Sequence, residues 1–295
     1  MKLHGGQPGI DMRVIRFVTL AYGLAWAIWL VPMAAMAGAY EFNDAFFPFL
    51  VVGSFSPAVA AIVCKFKDEK WEGVKGLLQQ ACRVRFSMKA YAYALLMLPV
   101  LAALAYALLG IRAANPEEST LLYVTMVAAP INGLLGLVTS VGPLGEELGW
   151  RGYLQPILSQ RRNDVAAAVA MGLIWAFWHL PLFLFPEWRS GLDLPTFLLL
   201  YPLSAVMLSF IMTKLWRWSN RSVFLAMWFH SLVNSLLGLM TTDAEVFDFA
   251  GQSSVSVYLL ILGILMVCCV LCEMASGASH GTPQKKVNPS SPNVG

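Results

Sequence analysis

Two glutamates stand side by side near the end of an apolar run, in the sequence GEELGWR at residues 145–151. A carboxylate buried as an anion is costly unless a partner compensates its charge. Glu147 and Arg151 are four residues apart and share a face of a helix, so an ion pair between them would neutralise one carboxylate. Glu146 lies elsewhere around the helix axis. The spacing therefore predicts two unequal residues, with Glu146 free to act on water or substrate.

Two further segments carry polar side chains at the same spacing. His179 lies four residues after Trp175, and His230 lies four residues before Asn234. Ionisable side chains inside apolar segments indicate a functional site. Three segments that each present one polar stripe are typical of helices that converge on a water-filled cavity.

The residue types favour hydrolysis of an amide. Glu146 can take a proton from water, and His179 can position that water. His230 and Asn234 can donate hydrogen bonds to an oxyanion. Because no serine or cysteine lies in a recognisable nucleophile motif, attack by activated water is favoured over a covalent intermediate.

Two alternatives remain open for these residues. Glu146, His179 and His230 could supply three metal ligands with an open position for water, so a divalent metal such as zinc is the alternative to a site without a cofactor. The helical His-Glu-x-x-His signature is absent from the sequence, and we expect no cofactor. Each histidine alone could also make a structural hydrogen bond between helices, and Asn234 could do the same.

The segments that must position these residues are hydrophobic enough to cross a membrane. Apolar residues make up 58% of the 295 residues and charged residues 13%, and the mean hydropathy is +0.65. This composition predicts an all-α, polytopic membrane bundle, since a crossing takes roughly 20 helical residues. We place about eight crossings near residues 14–38, 45–64, 90–110, 122–142, 165–185, 195–213, 222–240 and 254–274.

Basic residues give the orientation of these crossings, because Lys and Arg concentrate in cytoplasmic loops. With both termini in the cytoplasm, 18 of the 20 basic residues lie on the cytoplasmic side, and only Arg112 and Arg189 lie outside. The net charge of +3 therefore needs no nucleic-acid partner. The largest cytoplasmic loop, 65–89, is either a helix on the membrane surface or a solvated connector.

Three motifs in this order resemble a known family. They are Glu-Glu-x-x-x-Arg at 146–151, an aromatic-x-x-x-His at 175–179 and His-x-x-x-Asn at 230–234. In order, spacing and membrane context they resemble the CPBP intramembrane proteases, which include the type II CAAX prenyl endopeptidases and the bacterial Abi and bacteriocin-immunity proteins. The resemblance covers roughly residues 120–245.

The resemblance implies an eight-helix membrane fold and a water activated by glutamate. By motif position, Glu146 resembles the general base and His179 its partner on the water. His230 and Asn234 resemble the oxyanion hole.

The resemblance also assigns supporting residues. Glu147 and Arg151 resemble a supporting ion pair. Trp175 stands where the family usually has Phe, so an aromatic wall is kept while the size of the cavity can differ.

One difficulty is the depth of the two catalytic candidates. His179 is 15 residues beyond Asp164, which is about 22 Å along a helix, whereas Glu146 sits near the cytoplasmic end of its segment. We therefore expect the Gly-Pro-Leu-Gly stretch at 142–145 to break the fourth segment. Glu146 would then open a second helix that tilts back into the bilayer.

The predicted protein is an intramembrane endopeptidase of the bacterial plasma (inner) membrane, with a membrane domain over 1–276 and a disordered cytoplasmic tail over 277–295. Its expected substrate is a membrane-associated or prenylated (CAAX-type) polypeptide, that is, a peptide or a lipidated protein. The alternative is a non-catalytic protein that binds a peptide or lipid in the same cavity, as a bacteriocin-immunity factor does.

Overall fold

A computed structural model describes residues 11–35, 46–94, 107, 112–113, 116–139, 142–185, 187–189, 192–242, 247–248 and 254–278. Their regular secondary structure is helical apart from one antiparallel pairing of two-residue strands, β1 (Arg112–Ala113) with β2 (Phe247–Asp248). The α-helices are α1 (Met12–Ala35), α2 (Phe47–Ser54), α3 (Ser56–Ala81), α4 (Met88–Ala92), α5 (Pro116–Thr139), α6 (Pro143–Gly149), α7 (Gln155–Arg161), α8 (Asp164–Trp178), α9 (Leu194–Trp218), α10 (Val223–Thr242) and α11 (Ser254–Ala278).

Within the described ranges, three helical stretches are long and apolar enough to cross a membrane: Met12–Ala34, Phe47–Ala81 and Leu194–Trp218. A bent pair, Val127–Val138 with Pro143–Gln160, makes a fourth if it counts as one span. The predicted all-helical architecture is thus confirmed, with three or four candidate spans, while eight crossings and cytoplasmic termini stay predictions. Most of the predicted crossing at 90–110 lies outside the described residues, as do residues 279–295 of the predicted tail.

The second and fifth predicted segments differ from the observed helices. The second is broken at Phe55, and α3 then continues to Ala81, well past the expected end at residue 64. The fifth is not one helix over 165–185: α8 ends at Trp178, and a short 3₁₀ helix follows. Pro181 explains this end, because proline lacks an N–H donor and its ring clashes with the carbonyl group four residues earlier.

The expected loop at 65–89 is largely helical, since it forms the second half of α3 up to Ala81. The helix bends at Lys70, whose φ of 57° and ψ of −150° lie outside the helical region. Val74 and Leu77 are buried, whereas Trp71 is 71% exposed. This half of α3 therefore packs one face on the bundle and presents an aromatic residue outward.

A glycine contact fixes the position of α6 against the break between α2 and α3. A Cβ atom on Gly149 would lie 2.4 Å from the Cβ atom of Pro57 and 2.5 Å from its carbonyl oxygen. No side chain fits at that distance, so the backbones of α6 and α3 are in direct contact. The helix that carries both glutamates is thus held by close packing on its neighbour.

Side-chain caps mark the starts of α8 and α9, and an ion pair joins the two helices. Asn163 accepts a hydrogen bond from the Ala166 amide at 2.9 Å, which caps α8. Asp193 accepts one from the Thr196 amide at 2.9 Å, which caps α9, and this bond lowers the pKa of Asp193. Asp164 is paired with Lys214 at 3.0 Å, which joins the start of α8 to the last turns of α9.

Candidate functional site

The chain turns sharply immediately before the two glutamates. Gly142 has a φ of +110°, and α6 begins at Pro143 directly after it. The helical stretches 127–138 and 143–160 meet at 80°. A Cβ atom on Gly142 would lie only 2.4 Å from Glu146 Oε1. Glycine is therefore required here twice, for the left-handed backbone and for the space that the Glu146 carboxylate occupies. The predicted break is confirmed.

Glu146 does not face bulk water. Its residue surface is 5% exposed, and Oε2 accepts a hydrogen bond from the indole Nε1 of Trp175 at 2.6 Å. This bond connects the start of α6 to α8, so the bend brings Glu146 to the helix that precedes His179. The depth difficulty raised by straight helices does not arise in this geometry.

Glu147 is fully buried and has two partners. The Nη1 atom of Arg151 lies 3.0 Å from Glu147 Oε2, in the ion pair that their spacing predicts. The Nδ1 atom of His230 donates to Glu147 Oε1 at 2.8 Å. Glu147 thus binds α10 as well as its own helix. Nothing in the local sequence pattern indicates this second contact, because the two residues are 83 positions apart.

Arg151 extends the buried network to α9. It is completely buried, and its Nη2 atom donates to the Ser209 hydroxyl at 3.2 Å. Its guanidinium carbon lies 4.9 Å from the centre of the Trp175 ring, which is within the range of a cation–π contact. Around Arg151 the helix widens into a π-helix over Trp150–Leu154, a distortion that often occurs at functional sites.

His179 caps the end of α8. Its Nδ1 atom lies 2.9 Å from the carbonyl oxygen of Trp175. A carbonyl oxygen can only accept, so Nδ1 carries the hydrogen and Nε2 of the neutral ring is an acceptor. The imidazole is enclosed by aromatic rings, with centroid distances of 4.6 Å to Trp178, 5.8 Å to Trp188 and 5.5 Å to Tyr201.

Trp175 is the residue that brings the predicted groups together. Its indole N–H binds Glu146, its carbonyl oxygen binds His179, and its ring lies 5.1 Å from the His230 ring. We expected only an aromatic wall at this position. The donor role depends on the indole nitrogen, which Phe lacks, so the departure from the usual family residue was the signal that could have revealed it.

Asn234 is less well connected than the other predicted residues. It lies one turn after His230 on α10 and is half-buried. In the part of the chain that the structure describes, its side chain makes no hydrogen bond. The geometry therefore joins Glu146, Glu147 and the two histidines around Trp175, and leaves Asn234 beside this group with its amide unengaged.

The His230 hydrogen bond limits what this imidazole can do. Because Nδ1 donates to the Glu147 carboxylate, Nε2 of the neutral ring has only a lone pair to offer. His230 can donate from Nε2 to an oxyanion only as an imidazolium, with the Glu147 carboxylate as its counter-ion.

The metal alternative depends on which atoms of its three predicted ligands are available. Among the described residues, no three His, Cys, Asp or Glu side chains are arranged so that they could hold a metal ion. Glu146 Oε2 is bound to Trp175, and the Nδ1 atoms of His179 and His230 are engaged as donors, which leaves Nε2 of each neutral ring with a lone pair. A site without a cofactor stays a prediction that a chelator can test.

Comparison with known proteins points to one family. Residues 128–236 match a family model described as type II CAAX prenyl endopeptidase Rce1-like. The CAAX prenyl protease 2 of Methanococcus maripaludis is 31% identical over 109 residues, which is 35% of this chain and 40% of that protein. The chain thus aligns with less than half of this relative. All the site residues described above fall within the matched segment, and the resemblance carried by the three motifs is confirmed. Residues 128–236 of this chain are therefore similar to the type II CAAX prenyl endopeptidase Rce1-like family.

Proposed function

We propose that this protein is an intramembrane endopeptidase that hydrolyses a peptide bond in a membrane-associated or prenylated, CAAX-type polypeptide. The observation that carries the proposal is the buried carboxylate of Glu146, which lies at a break in a helix and is linked through Trp175 to both histidines. The family match over 128–236 supports a peptidase. The name of the Methanococcus maripaludis relative supports the substrate class.

In the proposed mechanism, Glu146 and His179 act on the attacking water. The water donates one hydrogen bond to Glu146 and another to His179 Nε2, which is the acceptor that the Trp175 carbonyl contact leaves available. As the water oxygen bonds to the carbonyl carbon of the scissile peptide, its proton passes to Glu146. Glu146 then gives this proton to the leaving nitrogen, the C–N bond breaks, and a carboxylic acid and an amine are formed. The remaining water proton passes from the acid to the amine, so that the products leave as a carboxylate and an ammonium ion.

In the same mechanism His230 and Asn234 stabilise the tetrahedral intermediate. The oxyanion accepts hydrogen bonds from the His230 imidazolium and from the Asn234 amide. Glu147 orients the His230 ring through Nδ1 and compensates its charge. Arg151 lies beside the second oxygen of Glu147. Because Glu146 is protonated at this stage, the two negative charges, on the oxyanion and on Glu147, are balanced by two cations, the His230 imidazolium and Arg151.

We further propose that the chain makes eight crossings with both termini in the cytoplasm, that the membrane domain extends to about residue 276, and that a flexible tail follows α11. This topology opens the break before α6 toward the cytoplasmic side. A substrate would then enter from that side or laterally between helices. Cysteine labelling at Arg112, Arg189 and the N-terminal region tests the orientation.

The decisive experiment is Glu146→Gln in the purified full chain, with cleavage of farnesylated and unmodified peptides followed by mass spectrometry. Removal of the general base is expected to lower turnover at least about 100-fold, while the melting temperature stays close to that of the wild type. Glu69→Gln is the matched control, because Glu69 lies outside the site on the exposed half of α3, and it should cleave normally. The same assay with a chelator tests the prediction that cleavage needs no metal ion.

Two results would contradict the proposal. Normal cleavage by Glu146→Gln would remove the glutamate mechanism. A chain that cleaves no peptide but keeps its biological activity after Glu146→Gln and His230→Ala would be a binding protein of the immunity-factor kind.

A further inference from the structure

A second polar feature lies away from the glutamate site. A cleft of about 640 Å³ opens between the second half of α3, the helical run that follows Arg151, and the turn between α9 and α10. Most of the side chains that line it are polar or charged. They belong to Arg13, Lys65, Asp68, Glu69, Gln79, Gln80, Arg83, Tyr153, Gln160, Asn220 and Arg221.

The charges at one end of this cleft compensate each other. Lys65 pairs with Glu69 at 2.7 Å, and Arg13 pairs with Asp11 at 2.8 Å. Asp68 is bound by Arg16. This end offers an added ligand little net charge.

The other end of the cleft carries two uncompensated cations, Arg83 and Arg221. In the described part of the chain, neither guanidinium has a carboxylate partner. Arg83 donates to the carbonyl oxygen of Asn220, and Arg221 lies over the Trp216 ring at 5.4 Å. Both guanidinium groups thus keep donors available for an anion.

The backbone beside these arginines is held in an unusual conformation. Asn220 and Arg221 have φ values of 55° and 63°, which are uncommon for residues other than glycine and cluster at binding sites. The Arg221 amide donates to the Trp216 carbonyl at 2.7 Å, and the Ser222 hydroxyl donates to the Arg83 carbonyl at 2.6 Å. These bonds fix the turn, and with it the positions of both arginines.

The helix along the cleft also bears features of a membrane surface. Phe66, Trp71 and Leu78 on α3 are 41%, 71% and 47% exposed, while Lys65, Gln79 and Gln80 of the same helix line the cleft. Aromatic residues exposed on an amphipathic helix typically lie at the level of the lipid headgroups. With these residues at that level, the cleft would open where phosphate groups of lipids are concentrated.

We propose that this cleft binds the phosphate-bearing headgroup of an acidic phospholipid, with Arg83 and Arg221 on the phosphate. Guanidinium groups match phosphate oxygens in geometry and charge, and basic pockets at the membrane surface bind such headgroups. The volume exceeds that of a phosphate alone, and the amides of Gln79, Gln80 and Gln160 can bind hydroxyl groups of the headgroup. The proposal is independent of the catalytic mechanism.

Native mass spectrometry of the purified full chain tests the proposal, with phosphatidylglycerol compared with phosphatidylcholine of the same acyl chains. We expect the wild type to bind phosphatidylglycerol more tightly by roughly 30-fold, from two basic contacts. Arg83→Gln with Arg221→Gln should remove this preference. The single change Arg221→Gln should weaken it with an unchanged melting temperature, because that side chain is exposed and does not hold the turn.

The matched control is Lys67→Gln with Lys75→Gln, which removes the same charge from the exposed part of α3 outside the cleft. It should keep the preference. Equal losses in both double variants, or no preference in the wild type, would overturn the proposal. If glycerol phosphate displaces the lipid, the site recognises phosphate chemistry from a soluble source. If the arginine changes alter only the KM for a peptide, the cleft is a peptide site and the lipid proposal is wrong.

Discussion

Among the described residues, two ion pairs have the same four-residue spacing in opposite environments. Glu147 and Arg151 lie 3.0 Å apart with both side chains 0% exposed, next to the candidate site. Lys65 and Glu69 lie 2.7 Å apart at the rim of the polar cleft, with side chains 22% and 53% exposed. The bond lengths alone would suggest that the two pairs are of similar importance.

Their surroundings make these pairs different in kind. The exposed pair exchanges hydrogen bonds to water for a weak, screened attraction. The buried pair is out of contact with water, so either member left alone is an uncompensated charge inside the bundle. Spacing thus predicts which residues form a pair, and burial determines how much stability is lost when the pair is broken. Substitutions at Arg151 and Glu69 test this difference, and one at Gly149 tests the close packing of the helix that carries the buried pair. They follow from the largest expected effect to the smallest.

Arg151→Met is expected to have the largest effect, because it leaves the Glu147 carboxylate buried with only His230 beside it. The expected loss of unfolding free energy is about 3–5 kcal/mol, measured by denaturation in mixed detergent micelles. Adding Glu147→Leu should recover part of this loss, since it removes the orphaned charge. A loss below about 1 kcal/mol for the single change would put the buried pair in the same class as the exposed one.

Gly149→Ala is expected to have an intermediate effect, because its Cβ atom would meet Pro57 at 2.4 Å. Overpacking of this kind typically costs about 1–3 kcal/mol, and it should also lower activity by displacing α6. The matched control is Gly76→Ala on the exposed half of α3, where a Cβ atom meets nothing within 4 Å. That change should be neutral or stabilising by about 0.5–1 kcal/mol. Equal melting temperatures for the two variants would contradict the close packing of α6.

Glu69→Gln is expected to have the smallest effect, below about 1 kcal/mol. The contribution of the Lys65–Glu69 pair should also fall as salt is raised, because ions screen exposed charges. The same salt series should leave the cost of Arg151→Met nearly unchanged. A strong salt dependence in the buried pair would mean that water reaches it.

Local chemistry could be predicted well from the sequence. The Glu147–Arg151 pair follows from helical spacing, and the break at Gly142 follows from the backbone preferences of Gly and Pro. The end of α8 could also have been predicted, because Pro181 is unfavourable in the interior of a helix. The prediction of one segment over 165–185 followed the length of the apolar run and did not take the proline into account.

Contacts between distant helices could not be predicted in the same way. The Glu147–His230 bond depends on how α6 and α10 pack, and no periodicity in either segment specifies it. The second half of α3 was ambiguous because its lysines suit a connector and its apolar residues suit a helix. Burial of Val74 and Leu77 in the bundle decides for the helix.

Trp175 gives the site a mechanical property. It binds Glu146 through its side chain and His179 through its main chain, so a shift of α8 along its axis would carry both contacts with it. Trp175→Phe would cut only the link to Glu146 and leave the carbonyl group that orients His179. The two residues proposed to hold the attacking water would then no longer be linked through Trp175.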